Sequence, residues 1–221
     1  MDNNSPTGLN RQTETLKRIL KAKEFGIFIC LCALFIFFSI VSPVFFGATN
    51  LLNIVRQVSL VGIQALGQTL VIAVGGIDIS VGAIYALTAV SSAVLMTQQG
   101  VPIYAASAIG LLIGLLFGLI NGFVIGYLKI PPFIATMGTM NIARGLALLF
   151  SNGMIISLDS NPVPDTHNLN SFLKIGGGFL GIVPSLAIFF VVLILIIYIL
   201  FHKSILGFRM RAVGIPELIY E

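Results

Sequence analysis

Apolar and polar positions fall in long blocks along this chain, without the residue-by-residue alternation of a half-buried strand. Apolar runs cover roughly 25–42, 51–74, 79–96, 103–128, 133–150 and 183–201. Crossing a hydrocarbon core of about 30 Å takes about 20 helical residues, so each run predicts one membrane-spanning helix. The expected fold is all-α, a polytopic transmembrane bundle of about six spans. Turn chemistry at Gly100-Val101-Pro102 and Pro131-Pro132 separates neighbouring runs. Residues 1–24 form a polar N-terminus, 25–201 a single transmembrane domain and 202–221 a short polar tail.

Composition agrees with this pattern. The 221 residues are 57% hydrophobic and 9% charged, with mean hydropathy +1.04, against about 25% charged residues in ordinary soluble domains. The formal charge of +4 matters through its distribution. Arg11, Lys17, Arg18, Lys21 and Lys23 precede the first run, and Lys129, Lys203, Arg209 and Arg211 share their side of the membrane. Only Lys174 falls in the loops of the opposite side. Basic residues in short loops stay cytoplasmic, so both termini are expected inside a cytoplasmic membrane, and nucleic-acid binding is not indicated. The first run is long and lacks an A-x-A-like site, which makes it a retained span and not a cleaved leader.

Catalytic and metal chemistry find no footing. Cys30 and Cys32 stand two apart on a helix and face different directions, which suits neither a disulfide nor a metal site. His167 and His202 lie in separate polar segments without ligand spacing. No nucleophile–base arrangement or G-x-x-x-x-G-K-[ST] phosphate loop occurs, so no cofactor is expected and any ATP hydrolysis must reside on another chain.

The segment Gly75-Gly76-Ile77-Asp78-Ile79-Ser80-Val81-Gly82 interrupts the apolar pattern most sharply. A carboxylate at the centre of a span costs about 2.5–3.5 kcal/mol on insertion scales, and paired glycines sacrifice helical stability. The segment reads either as a broken helix serving a pathway or as a tight cytoplasmic turn. In the second run, Asn53, Gln57, Gln64 and Gln68 fall within roughly 60° of one another on a helical wheel. Amides in hydrocarbon need partners, so this stripe serves interhelical bonding or lines a solute path.

Gly110, Gly114, Gly118, Gly122 and Gly126 repeat at four-residue spacing in the fourth run and predict a smooth ridge for close helix packing. The fifth run opens Pro131-Pro132-Phe133-Ile134-Ala135-Thr136-Met137-Gly138 and places Arg144 about 18 Å along the helix from Pro132. Asp78, a carbonyl at a helix break or water in a cavity are the candidate partners for that guanidinium. Arg56, nearer an outer end, snorkels. The long polar stretch 151–182 falls outside and serves as a solvated connector or a docking surface. Across the spans the polar groups are mostly neutral amides and hydroxyls, which suit a polyhydroxyl solute better than an ion.

Three stretches carry a family resemblance: Gly75 to Gly82, Pro131 to Met140 with Arg144-Gly145, and Gly207-Phe208-Arg209-Met210-Arg211-Ala212-Val213-Gly214. In order and spacing they resemble the permease subunits of ribose-type monosaccharide ATP-binding-cassette importers, over about residues 25–214. The resemblance implies a second permease copy or paralogue, a cytoplasmic ATPase and an extracytoplasmic sugar-binding protein as partners, within membrane lipid. It assigns Gly75, Gly76, Asp78, Ser80, Gly82, Pro131, Pro132, Thr136 and Gly138 to the transport path. Gly207, Arg209, Ala212, Val213 and Gly214 would begin the segment that meets the ATPase.

After Gly214 the chain departs from that pattern as Ile215-Pro216-Glu217-Leu218-Ile219-Tyr220-Glu221, and Pro216 would interrupt the expected helix. The expectation is therefore a permease truncated at its C-terminus. Two alternatives stand beside transport by ATP: a non-transporting membrane fragment, and an ion-coupled carrier using Asp78. The second usually shows an internal repeat of its helix break, and no second copy of Gly75–Gly82 is present.

Overall fold

The computed structural model describes residues 23–158 and 163–213. Eight helices and one short hairpin occupy them: α1 (Lys23–Val41), α2 (Ala48–Ala73), α3 (Val81–Thr97), α4 (Ile103–Gly126), α5 (Pro132–Ser151), α6 (Thr166–Gly177), β1 (Phe179–Leu180), β2 (Val183–Pro184), α7 (Ser185–Lys203) and α8 (Ile205–Val213). The basic N-terminal cluster before Lys23, Asp159, and the chain from Gly214 onward lie outside the described residues.

All six apolar runs became helices. Of these, α2, α4, α5 and α7 are long and apolar enough to cross a membrane by length and composition, and the apolar stretches Phe25–Val41 of α1 and Val81–Thr97 of α3 are shorter. The chain is a helical multi-pass membrane protein. Its outward surface is correspondingly greasy: Leu111, Leu149 and Ile196 are among many large apolar side chains left exposed, as expected of a protein whose solvent on that face is lipid.

Two units make up the chain, residues 1–54 and 55–221. In the first, the end of α1 is held by aromatic contacts. Phe45 meets Phe35 edge-on at 5.4 Å and stacks on Phe38 at 5.9 Å, and Asn50 Nδ2 donates to the Phe45 carbonyl at 2.8 Å.

The second unit is built on α3, which packs against both α4 and α5. Ala83 and Leu87 of α3, Phe117 of α4, and Ala143 and Ala147 of α5 form one buried cluster. The alanines keep the helices close and Phe117 fills the remaining space. A second cluster joins Met96, Ile103 and Ala106 to Val163, with Leu158, Leu169 and Phe172 packed against it.

Between residues 163 and 182 the chain forms α6 and the strand β1. Asp165 caps α6 by accepting from Asn168 N–H at 3.4 Å, and its other oxygen accepts from Ile103 N–H, at the start of α4, at 3.1 Å. One carboxylate thus serves two positive helix ends. Replacing Asp165 with Ala is expected to cost about 1–2 kcal/mol and to speed amide exchange at Ile103 and Asn168, while Asp165→Asn retains most protection; hydrogen exchange in bicelles measures both. Beyond α6, Gly181, with φ +67°, opens the two-residue turn between β1 and β2, where a positive φ favours glycine.

Candidate functional site

The glycine break folds as a non-helical link, residues 74–80, between α2 and α3. Gly75 adopts φ +81°, a backbone state that an L side chain resists. At Gly76 a Cβ would lie 3.1 Å from Val71 Cγ1 and 3.3 Å from the Val71 carbonyl, so the chain reverses there in close contact with α2. Each glycine therefore has its own reason.

Three helices and one internal turn hold the link. Gln68 Nε2, on α2, donates to the Asp78 carbonyl. Asp78 Oδ1 accepts from Ser80 N–H at 2.7 Å and from Ser80 Oγ–H at 2.6 Å, an Asx-type turn in which aspartate bonds the backbone two residues on. Asn121 of α4 donates from Nδ2 to Ser80 Oγ at 3.1 Å. Thr136, in the first turns of α5, accepts from Ile79 N–H at 3.3 Å. Ser80 is fully buried and Thr136 and Asn121 nearly so.

Position along the helices fixes the depth of this link. Asn121 lies five residues before Gly126, and Thr136 four after Pro132, so the network sits about 6–8 Å inside the α4–α5 turn at 1.5 Å per residue. It is tucked between helices, with Gly75 and Ile77 of the link left exposed.

Beside the link lies a cavity of about 450 Å³, bordered by Gly75, Gly76 and Asp78, by Gly118, Asn121, Gly122 and Gly126 of α4, and by Pro132 and Thr136 of α5. Its polar contributions are amide, hydroxyl and backbone groups with one carboxylate. Pro132 occupies the first helical position of α5, where a missing N–H costs nothing, and Pro131 sets the entry to it.

The glycine ridge divides. Gly110 is buried against α3, where a Cβ would overlap Ser92 Oγ and approach the Thr88 carbonyl to 3.0 Å, and Gly114 lies against Thr88. Gly118, Gly122 and Gly126 have no heavy atom within 4 Å of such a Cβ. The expectation of one continuous packing ridge is therefore corrected: the first half packs and the second half walls the cavity. The cause is α3 itself, which begins only at Val81 and leaves the final turns of α4 facing the non-helical link.

The amide stripe divides in the same way. Gln68 joins the network and Gln64 is half-buried, whereas Asn53 and Gln57 are exposed on α2. Gly82 and Gly138 sit at open positions in the early turns of α3 and α5. Arg144 does not meet Asp78; it is exposed on α5, with no hydrogen-bond partner among the described residues. Arg56 does more than snorkel, since its Nη2 donates to the Gly177 carbonyl at the C-terminal end of α6, where a cation complements the helix dipole.

Known proteins resemble this chain over most of its length. A family model described as the permease component of the branched-chain amino acid transport system matches residues 50–219. The chain belongs to this family. Among its relatives, the ribose import permease protein RbsC of Bacillus subtilis (strain 168) is 40% identical over 194 residues, 87% of this chain and 57% of that protein. The probable ABC transporter permease protein YphD of Escherichia coli (strain K12) is 36% identical over 191 residues, 86% of this chain and 54% of its own length. RbsC of Haemophilus influenzae is 37% identical over 174 residues, covering 78% and 52%. The chain spans about half the length of these curated relatives. No solved structure matches it.

Asn121 is the network residue that reading the sequence missed. Its signal was the single amide of α4, one residue before Gly122.

Later in the chain, Gly207 of α8 is buried where a Cβ would overlap the Phe201 and Leu200 carbonyls, so α8 folds tightly against the end of α7. Arg211 lies over the Phe201 ring at 5.4 Å and donates to the Gly207 carbonyl at 3.3 Å. Arg209, Ala212 and Val213 are left exposed.

Proposed function

We propose that this chain is the membrane-spanning permease subunit of an ATP-binding-cassette importer that carries a ribose-like monosaccharide inward across the cytoplasmic membrane, with its N-terminus cytoplasmic. A sugar-binding protein delivers the solute from outside, a separate cytoplasmic ATPase supplies energy, and a second copy or a paralogous permease completes the channel. The observation that carries the proposal is the cavity beside the glycine break, walled by glycines, by the apolar side chains of Val71, Val74, Ile77 and Ile125, and by a few hydrogen-bonding groups including the Asp78 carboxylate, in a chain whose relatives include two ribose import permeases. The neutral ones among those groups replace the water around hydroxyls without a net charge to neutralise. The path comprises Gly75, Gly76, Asp78, Ser80, Pro132 and Thr136, with Gln68 behind them. The exposed face of α8, with Arg209, Ala212 and Val213 presented by the tight turn at Gly207, is the surface offered to the ATPase.

Coupling to an ion through Asp78 has less support, because Asp78 Oδ1 is already engaged by both donors of Ser80. Proteoliposomes containing this chain, an ATPase and a sugar-binding protein from a ribose importer provide the test. ATP-dependent accumulation of D-ribose, unaffected by an uncoupler, is the expected outcome. Uptake that needs an ion gradient and ignores ATP, or no uptake under either condition, overturns the proposal.

A further inference from the structure

A second cavity, of about 560 Å³ and open to the surroundings, lies between α2 and the end of α6, with Arg56, Asn170, Leu173, Lys174 and the glycines 176–178 in its wall. Two cations line it, and no acid does. Arg56 is about 22 Å along α2 from Val71, which borders the cavity at the glycine break. The two spaces are separate.

Both cations stand near the C-terminal end of α6, where free carbonyls alone would attract positive charge. That end is already largely satisfied. The Lys174 carbonyl accepts from Gly178 N–H at 3.1 Å, the Ile175 carbonyl from Ser185 Oγ–H at 2.8 Å, and the Gly177 carbonyl from Arg56 Nη2. Arg56 thus gives the helix one of its five N–H donors. Lys174 is exposed on α6 and meets no acid in the cavity wall, so the helix end leaves most of the donor capacity of this pair unused.

The surroundings place the cavity at a membrane boundary. The membrane-crossing helix α7 starts at Ser185, and the hairpin just before it exposes Phe179, Leu180 and Ile182. Val55 and Val58, beside Arg56 on α2, are exposed as well. Exposed apolar side chains next to cations at the end of a span mark the depth where hydrocarbon gives way to headgroups. A docking face for a soluble acidic protein would carry a polar rim, which Phe179, Leu180 and Ile182 do not supply.

We propose that this cavity binds an anionic phospholipid, with Arg56 and Lys174 holding the headgroup phosphate and the exposed apolar side chains around them meeting the start of its acyl chains. Arginine offers a planar fork to two phosphate oxygens and lysine a compact charge. A choline or ethanolamine headgroup would bring its own ammonium against these cations, with no carboxylate in the wall to receive it. A net negative headgroup is therefore selected.

The chain has no tryptophan, so Leu173→Trp, in the cavity wall, provides a single fluorescent reporter in nanodiscs of phosphatidylcholine. Quenching is followed as dibrominated phosphatidylglycerol, or dibrominated phosphatidylcholine, replaces the unlabelled lipid. Phosphatidylglycerol is expected to reach half-quenching at the lower mole fraction, and Arg56→Gln and Lys174→Gln each to raise that fraction about fivefold, the contribution of one cation near an anionic headgroup. Lys174 is exposed, so its variant serves if Arg56→Gln disturbs the end of α6.

Equal quenching by the two lipids, or a preference for phosphatidylglycerol that neither substitution weakens, overturns the proposal. Displacement of the lipid by inorganic phosphate or by hexaglutamate, at constant ionic strength, assigns the cations to a soluble anion and overturns it too.

Discussion

Asp78→Ala is expected to destabilise the protein by about 2–3 kcal/mol, whereas Asp78→Asn costs less than about 1 kcal/mol. Alanine strips both Ser80 donors of their acceptor at a residue with no solvent exposure, and uncompensated burial makes that loss expensive. Asparagine keeps an Oδ1 in the same place. Unfolding by denaturant in bicelles measures the pair, and ribose uptake should follow the same ranking. A large loss in Asp78→Asn equal to that in Asp78→Ala would show that the charge, and not the cap, is the useful property.

Gly110→Val is the second large effect. Its branched side chain would enter the space held by Ser92 Oγ and the Thr88 carbonyl of α3. A serine hydroxyl can turn aside, but a helix carbonyl cannot, so α3 and α4 must separate at about 1–3 kcal/mol or more. The matched change on the same helix, Gly118→Ala, meets open space and should be neutral or stabilising, since alanine is the better helix former by about 0.5–1 kcal/mol. Thermal unfolding in detergent ranks the two. Equal losses would mean that the ridge packs along its whole length.

Which features were legible follows from their physics. Long apolar runs are visible in sequence because the hydrocarbon core imposes length and composition on each span separately; all six appear as helices, with ends displaced by one to three residues. The link at Gly75–Ser80 was legible because glycine pairs and a carboxylate are both costly there. Pro131 and Pro132 marked the start of α5 for a similar local reason. The division of the glycine ridge was not legible, since Gly110 and Gly118 are the same residue in the same helix and only the starting point of α3 separates their environments. Asn121 escaped notice because its importance comes from Ser80, 41 positions away. Arg56 and Gly177, paired across 121 positions, were hidden for the same reason. Asp165 could be recognised as a helix cap from its place before α6, but its second bond to Ile103 depends on how the outer segment folds back on α4.

Branched-chain amino acid transport in the family description and ribose import in the relatives pull the substrate in two directions. An amino acid brings a carboxylate and an ammonium, each needing an opposite charge or several strong dipoles when desolvated. The described cavity offers one carboxylate, already occupied at Oδ1, and no cation along its wall. This favours the proposed neutral sugar over a solute carrying both charges.

Passage of a solute requires that the space beside the link be wet. A nitroxide attached at Gly122→Cys, in the Cys30→Ala, Cys32→Ala background, reports this through its collisions with a water-soluble nickel chelate and with oxygen, which prefers lipid. Leu116, exposed on another face of α4, provides the reference after the same substitution and labelling. The predicted result is strong broadening by the nickel chelate at position 122 and by oxygen at position 116. Oxygen dominating at both positions would place the glycine wall in lipid and contradict a solute path there.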